Sequence, residues 1–127
     1  MICMKGVLIL AHGSRRKETE NTLKAVIGAL KEELEQTGEV NEIETAFLQF
    51  SERNLHAGLK ALTDKGVEEI VVAPYFLFEG IHILEDIPDE IAGFTKQYPH
   101  IKIRLAKPLG KDKRLAMILK DRIMELI

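Results

Sequence analysis

Cysteine, long apolar runs, surplus charge of either sign and nucleotide-binding glycine motifs are scarce or missing here, and each shortage closes off a class of function. One cysteine, Cys3, stands in 127 residues, so the chain can build neither an internal disulfide nor a CxxC motif. That usage fits a reducing, cytoplasmic compartment. No apolar run approaches the roughly 20 residues that cross a bilayer. The apolar start, MICMKGVLIL, lacks a small-residue cleavage site and reads as a first strand instead of a signal peptide. Lys and Arg number 18 against 20 Asp and Glu, a formal net charge of −2, which provides no general field for nucleic acid. GxGxxG is absent, as is GxxxxGK followed by Ser or Thr, so neither a dinucleotide fingerprint nor a P-loop is present. A GxSxG nucleophile elbow is also missing.

What remains is an ordinary globular composition, 46% hydrophobic and 30% charged, on a chain long enough for one domain with its own core. Residues 1–127 contain no linker, repeat or low-complexity segment. Lys5 to Ala11 is a continuous apolar run, the pattern of a strand buried on both faces. A helix is expected from Arg16 to Gln36, because Leu23, Val26, Ile27, Leu30 and Leu34 form one helical stripe and Thr37-Gly38 supplies a stop. Glu42 to Leu48 reads as a second strand. Ser51 is the expected N-cap of the next helix, with Glu52 in its first turn, Leu55, Leu59 and Leu62 inward, and an end near Lys65-Gly66. Glu69 to Phe76 is the third strand, followed by a loop from Leu77 to Glu85. Asp86 is the expected cap of a third helix, with Pro88 in its first turn and Ile87, Ile91 and Phe94 inward. Ile101 to Ala106 makes the fourth strand, and a last helix covers Asp112 to Leu126. Met117 and Met124, seven apart on that helix, suit loose surface packing or an oligomer contact.

The strictly alternating order predicts an α/β fold: one four-stranded parallel sheet flanked by helices, with right-handed crossovers, in a flavodoxin-like three-layer sandwich. Ligands of such sheets bind at the carboxyl ends of the strands, near a switch in strand order. Two histidines fall there. His12 follows the first strand in LILAHGSR, and His82 follows the third in VVAPYFLFEGIHILEDIP, each beside glycine or one residue from it. In the order 2-1-3-4 those strands are neighbours, so both histidines reach one sheet edge. Singly, each is equally a solvated loop residue. Together they offer imidazole to a borderline divalent metal, with most coordination positions open. Two ligands are too few for a closed structural site and suit an ion that is held and passed on. Glu79 and Glu85 could add a carboxylate. Gly13-Ser14-Arg15-Arg16, opening a helix at the same edge, is either an anion site or a plain strand-to-helix turn. His56 and His100 read as surface residues.

AHGSR after the first strand, FLQFSE before the second helix and PYFLFEGIHILEDIP after the third strand together resemble the short CbiX-type sirohydrochlorin chelatases, in order and across nearly the whole chain. The resemblance implies a chelatase-like fold, a homodimer, and insertion of Co²⁺, or in relatives Ni²⁺ or Fe²⁺, into sirohydrochlorin with release of two protons. It implies no organic cofactor, the metal being a substrate. It places metal ligation and catalysis on His12 and His82. It places substrate contact on Glu52 and on the loop of Leu77, Phe78, Glu79, Gly80, Ile81 and His82. Ser14 and Arg15 suit the carboxylates of the macrocycle. Many members carry proline after the acidic residue matched by Glu52; here Arg53 stands instead. Two other classes remain open: a metal-delivery protein without catalysis, and a flavodoxin-like binding domain, for which the first loop offers no acidic pair.

Overall fold

The computed structural model describes residues 3–78 and 80–127, with the backbone alone at 81–84. Eight elements alternate: β1 (Lys5–Ala11), α1 (Lys17–Thr37), β2 (Glu42–Phe47), α2 (Leu55–Asp64), β3 (Glu69–Pro74), α3 (Ile81–Gln97), β4 (Lys102–Leu105) and α4 (Lys113–Met124). The strands form one parallel sheet in the order β2-β1-β3-β4. This is the expected 2-1-3-4 order, and the switch point lies between β1 and β3. Register pairs Leu10 with Ala46 on one side and with Pro74 on the other, so the three strands end level. Pro74 is the last residue of β3, where the loss of its ladder donor costs least.

Two cores lie on opposite faces of the sheet. Leu8, Leu10, Ala46, Ile70 and Val72 pack with Leu55, Leu59 and Leu62 of α2 and Ile87 and Phe94 of α3. Ile9 and Ala11 pack with Leu23 and Ile27 of α1. Each of these buried Leu, Ile, Val and Phe side chains contributes about 1.5–3 kcal/mol by leaving water. Helix α2 lies close to the sheet because of Gly58: a Cβ there would stand 2.6 Å from Leu8 Cδ1 and 3.1 Å from Ala46 Cβ. Of the stripe expected on α1, Leu23 and Ile27 are buried and Leu30 packs against them partly buried, while Val26 is 39% exposed. Helix α4 differs from the rest. Its apolar positions Ile118, Leu119 and Ile123 are 52, 63 and 50% exposed, and none of its residues is buried.

Two helix starts depart from expectation. Asn54, and not Ser51, caps α2: its side chain accepts from the Ala57 N–H at 2.9 Å. The Ser51 hydroxyl is used locally, accepting from the Arg53 N–H at 3.0 Å, while the Phe47 N–H donates to the Arg53 carbonyl at 2.8 Å. Residues 48–53 therefore form a closed loop before the helix, and Glu52 lies in that loop instead of in a first helical turn. Helix α3 begins six residues earlier than expected, capped at Gly80 and not at Asp86. Gly80, in extended conformation, is its N-cap, so His82 sits in the first turn and Pro88 lies in the helix interior. The helix there lacks one i→i−4 hydrogen bond and proceeds regardless, since Ile87 and Phe94, each 2% exposed, anchor it to the core.

Candidate functional site

The carboxyl ends of β1, β2 and β3 meet at one edge, and backbone hydrogen bonds tie their exits together. The Leu48 N–H donates to the Ala11 carbonyl at 2.9 Å, the Gln49 N–H to the His12 carbonyl at 3.1 Å, and the Tyr75 N–H to the Leu10 carbonyl at 2.8 Å. The ladder thus runs past the end of β1 and takes His12 with it. Gly13 follows with φ +92°, and a Cβ there would lie 2.1 Å from the Gln49 carbonyl oxygen. Only glycine permits both the left-handed turn and this approach of the two exits. The His12 ring is exposed to solvent on one side and rests on the buried Phe76 ring, with centroids 4.3 Å apart and planes tilted by 44°.

A cavity of about 340 Å³ opens beside it. His12, Gly13 and Ser14 form one wall, Thr19, Glu20 and Leu23 of α1 a second, and Phe47, Gln49, Phe50, Ser51 and Tyr75 the rest. Of the expected contact residues, His12 and Ser14 reach this cavity. Arg15 stands at its rim, its Cζ 4.7 Å from the centroid of the Phe50 ring. Leu77 and Phe78 are exposed, at 49 and 80%, but line no part of the cavity. Glu52 does not line it either. Gly80 caps α3. Glu79, and the side chains of Ile81 and His82, lie outside the described residues. The backbone places His82 in the first turn of α3, which leaves the strand adjacent to β1. Among the described residues, no group of three or more His, Cys, Asp and Glu could hold a metal ion.

The anion site considered at the start of α1 is weaker than its glycine and arginines imply. Arg16 is the N-cap and makes no side-chain cap hydrogen bond, and Glu18 and Glu20 already place negative charge in the first turn. The Arg16 guanidinium leans toward Glu18 at 3.8 Å. Arg15, at the rim beside Phe50, makes no ion pair among the described residues. The loop that carries Gln49 and Phe50 is held from beneath. Arg53 pairs with Glu44 of β2, and Lys65 pairs with the same carboxylate at 2.6 Å. The hydrogen bond from Lys65, then that from Arg53, holds the Glu44 carboxyl below the usual glutamate range against its partial burial. Arg53 therefore secures this segment by an ion pair.

Glu20, Gln49, Phe50 and Tyr75 were missed by the motif reading. The strand-exit rule that singled out His12 would have marked Gln49, Phe50 and Tyr75, since all three follow strand ends. Glu20 reaches the site only because α1 folds back over the sheet.

The chain matches the CbiX family model over residues 6–126. It is 31% identical to a sirohydrochlorin cobaltochelatase of Sulfurisphaera tokodaii over 124 residues, 98% of this chain and 95% of that protein. It is 33% identical to a sirohydrochlorin ferrochelatase of Priestia megaterium over 122 residues, but these make up only 44% of the relative. Among solved structures, the sirohydrochlorin chelatase SirB from Bacillus subtilis subspecies spizizenii in complex with cobalt superposes with a TM-score of 0.86 at 28% identity. The match covers 97% of this chain and 51% of that one. A CbiX protein from Marinobacter aquaeolei matches end to end, 95% of both chains, with a TM-score of 0.74 at 26% identity.

Proposed function

Since the chain belongs to the CbiX family, we propose that it is a sirohydrochlorin chelatase, inserting a divalent metal, Co²⁺ first among the candidates and Ni²⁺ or Fe²⁺ after it, into the macrocycle. The reaction is M²⁺ plus the tetrapyrrole with two pyrrole N–H groups, giving the metallated ring and two protons. The observation that carries this reading is His12, exposed on the wall of a cavity at the switch point between β1 and β3, its backbone locked by the Gln49 N–H. A neutral imidazole there holds the ion through one nitrogen lone pair. As the metal moves into the ring, that lone pair is freed and takes up a pyrrole proton. His82, in the first turn of α3, is the second proposed ligand. Leu77, Phe78, Glu79, Gly80 and Ile81 form the proposed wall for the macrocycle, with Ser14, Arg15 and Glu52 as its polar contacts. The metal is a substrate and no organic cofactor is required. An exposed free thiol at Cys3 suits a cytoplasmic setting.

A homodimer is part of the same reading. The Priestia and Bacillus relatives are about twice the length of this chain, so a second copy would stand in for their other half. Two surfaces of this chain favour it. One is the exposed apolar side of α4, and the other is the strip of β3 and β4 around Val71, which is 40% exposed. A twofold axis that laid each α4 over its partner's strip would cover both surfaces.

The test is the absorption spectrum of sirohydrochlorin with Co²⁺, Ni²⁺ and Fe²⁺ in turn, using the wild type, His12→Ala and His82→Ala. Metallation by the wild type and a loss of at least about a hundredfold in each variant are expected, the range over which one acid–base group acts. An unchanged spectrum with all three metals defeats the chelatase reading. Near-normal rates in both variants at limiting metal defeat the histidine roles.

A further inference from the structure

Phe50 has three properties that neither the fold nor the residues named so far explain. Its backbone sits at φ +59°, the one non-glycine residue at positive φ among those described. That region is costly for a bulky L-residue, and glycine or asparagine would occupy it at less strain. Its side chain is 53% exposed, so core packing does not hold it there. It nevertheless lines the His12 cavity, and the Arg15 guanidinium carbon stands 4.7 Å from its ring centroid. A strained, solvent-facing aromatic with a cation on one face has the form of a recognition element, because such strain collects where a side chain must be aimed. The loop beneath it is braced for that task by the Arg53 and Lys65 pairs to Glu44 and by the Phe47 N–H to Arg53 carbonyl bond.

We infer that Phe50 and Arg15 form a two-part subsite for the tetrapyrrole. One face of the Phe50 ring takes the flat conjugated macrocycle, and Arg15 on the other face pairs with one of its peripheral carboxylates. The two functions reinforce each other. The cation draws on the π face of Phe50 while remaining free to donate in its plane. This subsite holds the ring at a fixed offset from His12 and makes Phe50 a positioning residue, with no part in proton transfer. The inference rests on the chelatase reading and adds to it the residue that orients the substrate.

The experiment titrates metal-free sirohydrochlorin into wild type, Phe50→Asn, Phe50→Trp and Arg15→Gln, following the visible spectrum of the tetrapyrrole, with a thermal melt of each protein alongside. Phe50→Asn relieves the backbone, so its melting temperature stays level or rises while its affinity for the macrocycle falls roughly tenfold, the loss expected of one stacking contact. Phe50→Trp restores binding. Arg15→Gln weakens binding to the wild-type substrate and has less effect on an esterified macrocycle that lacks the carboxylates. Binding by Phe50→Asn as tight as that of wild type overturns the inference and leaves the chelatase reading standing. So does a fall in stability and affinity together that tryptophan does not rescue, since that marks a merely structural role. Failure of the wild type to bind sirohydrochlorin at all overturns both.

Discussion

Replacing Gly13 by alanine tests the central claim about the site, that the β1 and β2 exits are brought together by a position only glycine can fill. At φ +92° an L-residue loses about 1–2 kcal/mol to its own backbone. The new Cβ would also stand 2.1 Å from the Gln49 carbonyl oxygen. That atom belongs to the backbone, so no rotamer change relieves the overlap and the two exits must separate. Separation breaks the bond from the Gln49 N–H to the His12 carbonyl, worth about 1 kcal/mol. The expected loss is therefore about 2–3 kcal/mol. With a urea slope of about 1–3 kcal/mol per molar, the unfolding midpoint followed by circular dichroism should drop by about 0.7–3 M. Gly28, inside α1 with nothing within 4 Å of its virtual Cβ, is the matched control. Alanine there should stabilise by about 0.5–1 kcal/mol, because a helical glycine costs entropy and no neighbour objects. Opposite signs for the two substitutions are the signature sought. A Gly13→Ala midpoint within about 0.3 M of wild type at the same slope would refute the account of this turn.

Further outcomes follow from other parts of the molecule. The Glu44 carboxyl titrates below its unfolded value, so its contribution to stability is present above the ordinary glutamate range near about 4.3 and is lost as pH falls through the folded value. Glu44→Gln should therefore be the less stable protein at neutral pH and should show a shallower loss below about pH 4.3 in thermal melts across the acid range. Arg53→Ala removes a half-exposed arginine from a carboxylate that keeps its pair with Lys65, and should cost about 1 kcal/mol of stability. By loosening the loop of Gln49 and Phe50, it should raise the KM for sirohydrochlorin more than it lowers kcat. Leu119→Glu on α4 should shift the chain to monomer in analytical ultracentrifugation without lowering the helical circular dichroism signal, since that position is 63% exposed. A wild type that sediments as a monomer would remove the homodimer from the proposal.

The alternation of strands and helices, the parallel sheet and its inward-facing residues were legible in the chain. Leu55, Leu59 and Leu62 recur at helical spacing and are all buried, and Lys5 to Ala11 reads as a two-sided strand and is one. These are local patterns, set by the periods of helix and strand. The strand-exit rule likewise led to His12 before any coordinates. The two helix starts were not legible. Several residues ahead of α2 could cap it, and the choice fell to Asn54 only because Phe47 and Arg53 close a loop first. Helix α3 extends back past Pro88 to Gly80 because Ile87 and Phe94 anchor its axis to the core, which a local reading of proline could not weigh.

By itself, then, the sequence determined the architecture and put His12 at the carboxyl edge of the sheet. Tertiary structure alone decided that Gln49, Phe50 and Tyr75 share a cavity with His12, that Arg53 secures the loop beneath, and that the apolar side of α4 is left exposed. The physical reason is separation along the chain. Periodicity and capping act over a few residues, whereas the cavity is assembled from three strand exits and a helix that only the closed sheet brings together.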